Sequence, residues 1–431
     1  MKFLSTALIK TIIFVFLLIN ANVLFSQDKT YALSCVKTLS SPQFHGRGFV
    51  KKGDKIAAKF IQEELKKWNV KPFENSYQQQ FKFDINTILK ASLSTDTKTF
   101  ILGSDYLVFA GSSSVKGKYQ LYYPDSFSME KFKAENHENE FFVLDTISYK
   151  SKDLIANYRN IIGTCAFGNA KGIIEITAKK LVQTQRTYEF GYAFIQIKNE
   201  SWDSASQHVR VNIKNKFIEG YQSQNVIGYI EGEIDSFFVF GAHYDHLGRV
   251  GKNVYFPGAN DNASGVATVL SLAKYYYDKG IKPKYNIAFM LFSAEEAGLI
   301  GSLYYTQNPL FPLNKIKLMF NLDMVGTGVE GLSVVNGKEN PNVSHLLKKI
   351  NTENIFFKDI RIGKGSANSD HHFFDKAGVP AVFLFTRGGP QYYHDVLDRS
   401  QTLEMNKLDQ LIKMFDLFMH VKIDNKTNKD V

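Results

Sequence analysis

Five short runs of this sequence carry acids or histidines of the kinds that bind divalent cations. The first is F-G-A-H-Y-D-H-L-G, with His243, Asp245 and His246. A neutral imidazole is a good ligand for a borderline metal ion, and a carboxylate two residues on can hold its other nitrogen. P-G-A-N-D-N-A-S-G-V-A places Asp261 on a tight turn before small residues that let the backbone come close to whatever Asp261 binds. S-A-E-E-A-G-L-I-G-S sets Glu295 beside Glu296. Their repulsion is costly unless cations or protons offset it, and adjacent side chains can take different jobs, one on a metal and one on a proton. F-N-L-D-M-V-G ends an apolar run on Asp323, and Y-Y-H-D-V-L-D carries His394. Each run alone has a plain structural account. His243 could be a satisfied core histidine, Asp261 or Asn262 a helix cap, Glu295-Glu296 an exposed acidic turn, and His246 a rim or packing residue. Together, His243, Asp261, Glu296, Asp323 and His394 form a donor set suited to two zinc ions about 3.5–4 Å apart, bridged by one carboxylate.

The elements that must position these residues are legible as apolar strands alternating with helices. Strands are predicted over Phe237-Gly241, Tyr285-Phe292, Ile316-Leu322 and Ala381-Phe385. Helices are predicted over Ala263-Asp278, Asn342-Asn351 and Leu408-His420. Nearly continuous apolar strands separated by helices indicate an α/β fold, with a mixed, mostly parallel sheet covered on both faces. The acids and histidines fall directly after the strands, where an open α/β sheet forms its crevice. Upstream, Ile56, Phe60, Ile61, Leu65 and Trp68 recur near helical spacing, and Tyr77-Phe81 reads as a short strand. Between Asn86 and Gln222, short apolar runs such as Tyr106-Ala110, Glu140-Leu144 and Gly172-Thr177 alternate with polar turns. That texture predicts an inserted β-rich domain.

The 431 residues are 44% hydrophobic and 22% charged, with 36 Phe and 22 Tyr, which is the composition of a large folded core. The net charge of +10 is scattered rather than gathered into a stripe, which argues against nucleic acid as a partner. Lys2 and Lys10 precede an apolar run, Thr11 to Phe25, followed by Ser26-Gln27-Asp28. This is the layout of a secretory signal peptide, and the run is shorter than the roughly 20 residues that a membrane-spanning helix requires. The expected order is a signal over 1–26, the first part of the main domain over 27–85, the insert over 86–222, the rest of the main domain over 223–425, and a polar tail over 426–431. Two cysteines, Cys35 and Cys165, make no disulfide framework and read as ordinary buried thiols.

In order, H-Y-D-H-L-G, P-G-A-N-D-N-A-S-G, A-E-E-A-G-L-I-G-S, N-L-D-M-V-G and Y-H resemble the motifs of the co-catalytic zinc aminopeptidases of metallopeptidase clan MH. The likeness runs from Asn225 to about Ser400. It extends to L-S-S-P-Q-F-H-G-R-G (Leu39 to Gly48) and N-V-I-G-Y-I-E-G (Asn225 to Gly232). The resemblance implies that Asp261 bridges two zinc ions, His243 and Asp323 completing one site and Glu296 and His394 the other. It further implies Glu295 as general base, Asp245 as the partner of the His243 ring, a cis Asp261-Asn262 bond, and Ser369-Asp370-His371 as pocket lining. The region 86–222 resembles the protease-associated domain that several members carry. After His394, Asp395-Val396 departs from the Thr-Pro-type continuation frequent in the family. The implied activity is exported aminopeptidase hydrolysis of peptides or small proteins with a free N-terminus, without stable membrane insertion after signal cleavage. Alternatives within reach of the same motifs are a single-zinc glutaminyl cyclase, a carboxypeptidase or dipeptidase of the clan, and a binding protein without catalysis.

Overall fold

The computed structural model describes residues 29–123, 136–148, 155–157, 160, 169–280 and 282–421. The signal-like segment, Cys165 and the polar tail lie outside the described residues. The main sheet runs in the order Ile360–Ile362, Gly331–Val335, Ala381–Arg387, Ile316–Leu322, Ile234–His243, Tyr285–Phe292 and His208–Ile230. The four central strands that carry the motifs are parallel to their neighbours within the set, and antiparallel pairing enters with Gly331–Val335 on one side and His208–Ile230 on the other.

Two-sided burial explains the continuous apolar runs. Along the Ile234–His243 strand, Phe238, Phe240 and Ala242 join one core, while Phe237 and Val239 join the core on the opposite face. Helices Gly53–Lys67, Ser264–Lys279, Pro341–Asn354 and Leu408–His420 cover the first face. Tyr305 and Phe374, on helices Ile300–Gln307 and His371–Lys376, cover the second. Helix Leu408–His420 has the bounds its periodicity predicts, and it inserts Phe415 against Phe240 and Phe320, with ring centroids 5.0 and 5.2 Å away. Aromatic pairs in this range contribute about 0.5–1.5 kcal/mol each beyond burial.

The strand predicted at Tyr77-Phe81 is much longer than its local pattern indicates. Gln78–Thr95 pairs antiparallel with His208–Ile230 from Gln78↔Val226 to Thr95↔Val209, with irregularities at Phe83/Ile85 and Ile88/Lys90. The expected insert boundaries, Asn86 and Gln222, therefore fall inside one paired ladder. On its far end sit Val115–Tyr122, Glu140–Asp145, Gly172–Thr177, Ala193–Lys198 and Tyr106–Val108. Their core takes in Leu247, Val250 and Phe256, which follow His246 in the chain. Cys35 is a buried free thiol, and burial pushes its pKa up to about 12. Among the described residues no helix is long and apolar enough to cross a membrane.

Candidate active site

Strand register brings the sequence-predicted residues to one edge. His243 is the last residue of its strand and lies level with Phe292, while Asn321, two residues before Asp323, lies level with Gly241. Glu295 and Glu296 come three and four residues after Phe292. His394 follows Ala381–Arg387, and Asp261 sits in the turn that enters helix Ser264–Lys279. The His243 ring Nε2 lies 3.4 Å from Asp261 Oδ1 and 3.4 Å from Asp323 Oδ1. His394 Nε2 lies 3.2 Å from Asp261 Oδ2 and 3.1 Å from Glu296 Oε2. Asp261 thus presents one oxygen to each imidazole. Glu295 Oε2 stands 4.0 Å from His243 Nε2, outside both short pairs.

The Asp261 turn is fixed from three sides. The Asp261-Asn262 peptide bond is cis. Asp398 accepts hydrogen bonds from the Asn260 and Asp261 N–H groups, and Arg47 donates to the carbonyls of Pro257, Gly258 and Asp261. Asn262 Oδ1 accepts from the Gly265 N–H at the helix start, and its Nδ2 donates to the Leu322 carbonyl, one residue before Asp323. The side-chain bond to the helix start thus comes from Asn262, and the Asp261 carboxylate takes no part in it. A Cβ on Gly265 would stand 2.3 Å from that same carbonyl, so a side chain there would separate the two ligand-bearing segments.

Three orienting contacts differ from the sequence expectation. His243 Nδ1 lies 3.1 Å from the backbone carbonyl of Asp245, whereas the Asp245 carboxylate is 3.9 Å away. That carboxylate instead accepts the N–H groups of Glu295 and Glu296, just beyond the end of the neighbouring Tyr285–Phe292 strand. His246, expected as a rim or packing residue, is fully buried, and beyond packing its Nδ1 lies 2.7 Å from Glu296 Oε1. Ser369, Asp370 and His371 are buried behind the cavity instead of lining it. Ser369 donates to Asp323 Oδ2, and the lining position belongs to Asn368. Sequence reasoning assigned no role to Arg47 or Asp398, although both stand inside runs it had singled out. It also missed the Gln183 carbonyl, 2.9 Å from His394 Nδ1, which has no side-chain signal at all.

Electrostatics gives the cluster its chemical character. Burial lowers the proton affinity of His394, but Glu296 and Asp261 outweigh it and raise its pKa to about 11. His243 is likewise raised, its burial outweighed by Glu295 and Asp323. Burial pushes Asp245 up to about 8 and Asp370 up to about 6. Burial also drives Glu295 well above the ordinary carboxylate range, His243 pulling it back and Glu296 adding to the rise. Without a cation, protons are drawn to both imidazoles to balance the acids. Buried Asp261 Oδ2 and Asp323 Oδ1 face imidazole nitrogens without receiving a hydrogen bond. Two overlapping donor groups, His243 with Glu295 and Asp323 and His243 with Asp261 and Glu296, converge within 4.8 Å. Convergent, unsatisfied oxygen and nitrogen donors of this kind fit zinc.

A cavity of about 250 Å³ opens on the cluster, walled by Met324, Phe383, Phe385, Tyr393 and Asn368. A second, of about 510 Å³, continues outward between the Glu295–Leu299 turn and residues 184–188 of the insert region.

Residues 225–419 match the profile described as Peptidase family M28. Aminopeptidase YwaD of Bacillus subtilis is 30% identical over 234 residues, 51% of this chain and 49% of that protein. Leucine aminopeptidase 1 of Sclerotinia sclerotiorum is 30% identical over 201 residues, 44% of this chain and 51% of that protein. The chain thus spans about half the length of these curated relatives. Among solved structures, BSAP, a zinc aminopeptidase from Bacillus subtilis, superposes with a TM-score of 0.69 at 22% identity, covering 92% of this chain and 96% of that one. A Peptidase M28 precursor from Shewanella amazonensis gives 0.65 at 18% identity, covering 91% and 96%. The fold, including the segment between the two parts of the main sheet, is that of these proteins.

Proposed function

We propose that this chain, whose residues 225–419 match the profile described as Peptidase family M28, is an exported two-zinc aminopeptidase of that family. The observation that carries the reading is Asp261, directing one carboxylate oxygen to His243 and the other to His394. Residues His243 and Asp323 would hold one zinc and Glu296 and His394 the other, with Asp261 between them. Bound zinc would supply a water of lowered pKa and polarise the scissile carbonyl. Glu295 takes the proton from the attacking water and returns it to the departing amine. Its position suits that task, at the cavity and outside the short imidazole–carboxylate pairs. The His394 and His243 rings are held by carbonyls on their far nitrogens, which leaves each Nε2 facing the acids that would share a zinc with it. Export is read from the Thr11–Phe25 segment and its flanks. Residues 86–222 act as a protease-associated-like insert that forms one wall of the outer cleft.

The apolar walls make a selectivity prediction. Phe383, Phe385 and Met324 offer no partner for a charged side chain, so leucyl and phenylalanyl substrates are expected to exceed aspartyl and lysyl ones at least tenfold in kcat/KM. A panel of aminoacyl-chromophore substrates reads this directly, and equal rates would refute the apolar wall. Zinc analysis accompanies the panel, with chelator-treated protein and N-acetylated substrates in parallel. Two zinc ions per chain and loss of turnover on blocking the amine are the expected results. Cyclisation of an N-terminal Gln peptide with one zinc bound would replace this reading with a cyclase.

A further inference from the structure

His394 occupies a backbone conformation that its residue type rarely adopts, with φ at +55°. A non-glycine residue held there persists only when its surroundings over-determine it. Those surroundings come from the insert region. Lys180 extends its ammonium to the carbonyls of Gln391 and Tyr393, at 2.9 and 2.8 Å, and lies 3.4 Å from Asp395 Oδ2. Three positions on, Gln183 gives its carbonyl to His394 Nδ1. Gln185 Nε2 donates to the His246 carbonyl, so the same segment also reaches the loop of the first histidine motif. The core of the insert region packs Val396 and Leu247, which flank the two histidine loops.

We infer that the 180–185 segment is a working part of the metal centre, with Lys180 as a positioning residue that holds His394 in its ligating pose. The inference rests on the two-zinc reading above. Lys180 touches no reacting atom. Its three contacts close the 391–395 loop around the strained residue, and the Gln183 carbonyl then selects the tautomer whose Nε2 is free. Of the two proposed sites, the one sharing Glu296 and His394 depends on the insert region. The one sharing His243 and Asp323 takes both of these ligands from strand ends of the main sheet, with no insert-region contact to either ring or carboxylate among those described.

The test is a zinc titration by calorimetry on full-length wild type, Lys180→Met and Lys180→Arg, with thermal unfolding of each zinc-free protein. Methionine keeps the aliphatic stem and removes the three contacts, and Lys180 is 37% exposed, so the fold should survive. The expected result is that K180M binds one zinc as wild type does and the other about 10- to 100-fold more weakly. Zinc-free Tm should be unchanged, and K180R should recover much of the lost affinity. Two zinc sites of wild-type affinity in K180M would overturn the inference and leave the two-zinc reading standing. Equal weakening of both sites with a lowered zinc-free Tm would overturn it too, as general loosening. Fewer than two zinc ions in wild type would remove the two-zinc reading itself and the inference with it.

Discussion

Glu295→Gln is expected to lower kcat by about 10²–10⁴-fold, the contribution of a positioned acid–base group, while zinc content stays at the wild-type level. The amide is nearly isosteric with the carboxylate, so the cavity keeps its shape, but it cannot accept a proton at neutral pH. Glu295 lines the cavity at the edge of the cluster, and its backbone is fixed by Asp245 rather than by its own side chain. Losing the carboxylate should therefore leave its neighbours in place. Steady-state kinetics on a leucyl substrate, with metal analysis of the same preparation, checks both halves. A variant retaining more than about a tenth of wild-type kcat would remove Glu295 from proton transfer. A variant that loses zinc as well would show Glu295 to be a ligand, in line with its grouping with His243 and Asp323.

Arg47→Met should be the most damaging single change to stability. The guanidinium is fully buried and donates to five carbonyls, those of Leu39, Tyr244, Pro257, Gly258 and Asp261, over 2.7–3.1 Å. Burial lowers its pKa to about 10 against the pull of Asp261 and Asp398, so it remains charged at neutral pH. Methionine would leave those carbonyls without donors and two buried carboxylates without their cation. The expected loss is about 3–5 kcal/mol, the range for breaking a buried charge network by removing one partner. Lysine should rescue little, because one ammonium cannot reach carbonyls spread around a planar fork. The flanking residues show how closely this segment is pressed in. A Cβ on Gly46 would stand 2.5 Å from the carbonyls of Gly248 and Phe256, and one on Gly48 would stand 2.4 Å from Gly248 Cα. Denaturant unfolding of zinc-free protein measures the effect, and a change below about 1 kcal/mol would refute the structural role of Arg47.

The pattern of residues by itself determined the layering and the place of the chemistry. Strands buried on both faces must be apolar throughout, so Tyr285–Phe292 and Ile316–Leu322 stand out with the bounds they have in the fold. A charged residue directly after such a strand is costly to bury alone, so Asp323 and the Glu295-Glu296 pair announce a shared site before any contact is known. Which oxygen faces which imidazole was decided only by the tertiary structure. It depends on register between strands far apart in sequence, and on the Glu295 and Glu296 N–H groups that take the Asp245 carboxylate and leave His243 Nδ1 to the Asp245 carbonyl. The full length of the Gln78–Thr95 strand was less legible, since its partner lies more than a hundred residues downstream and the alternation through Phe81, Phe83 and Ile85 breaks after Ile85, between the irregularities Phe83/Ile85 and Ile88/Lys90. Gln183 was hidden outright. Every residue has a carbonyl, and only folding places this one on the far nitrogen of His394.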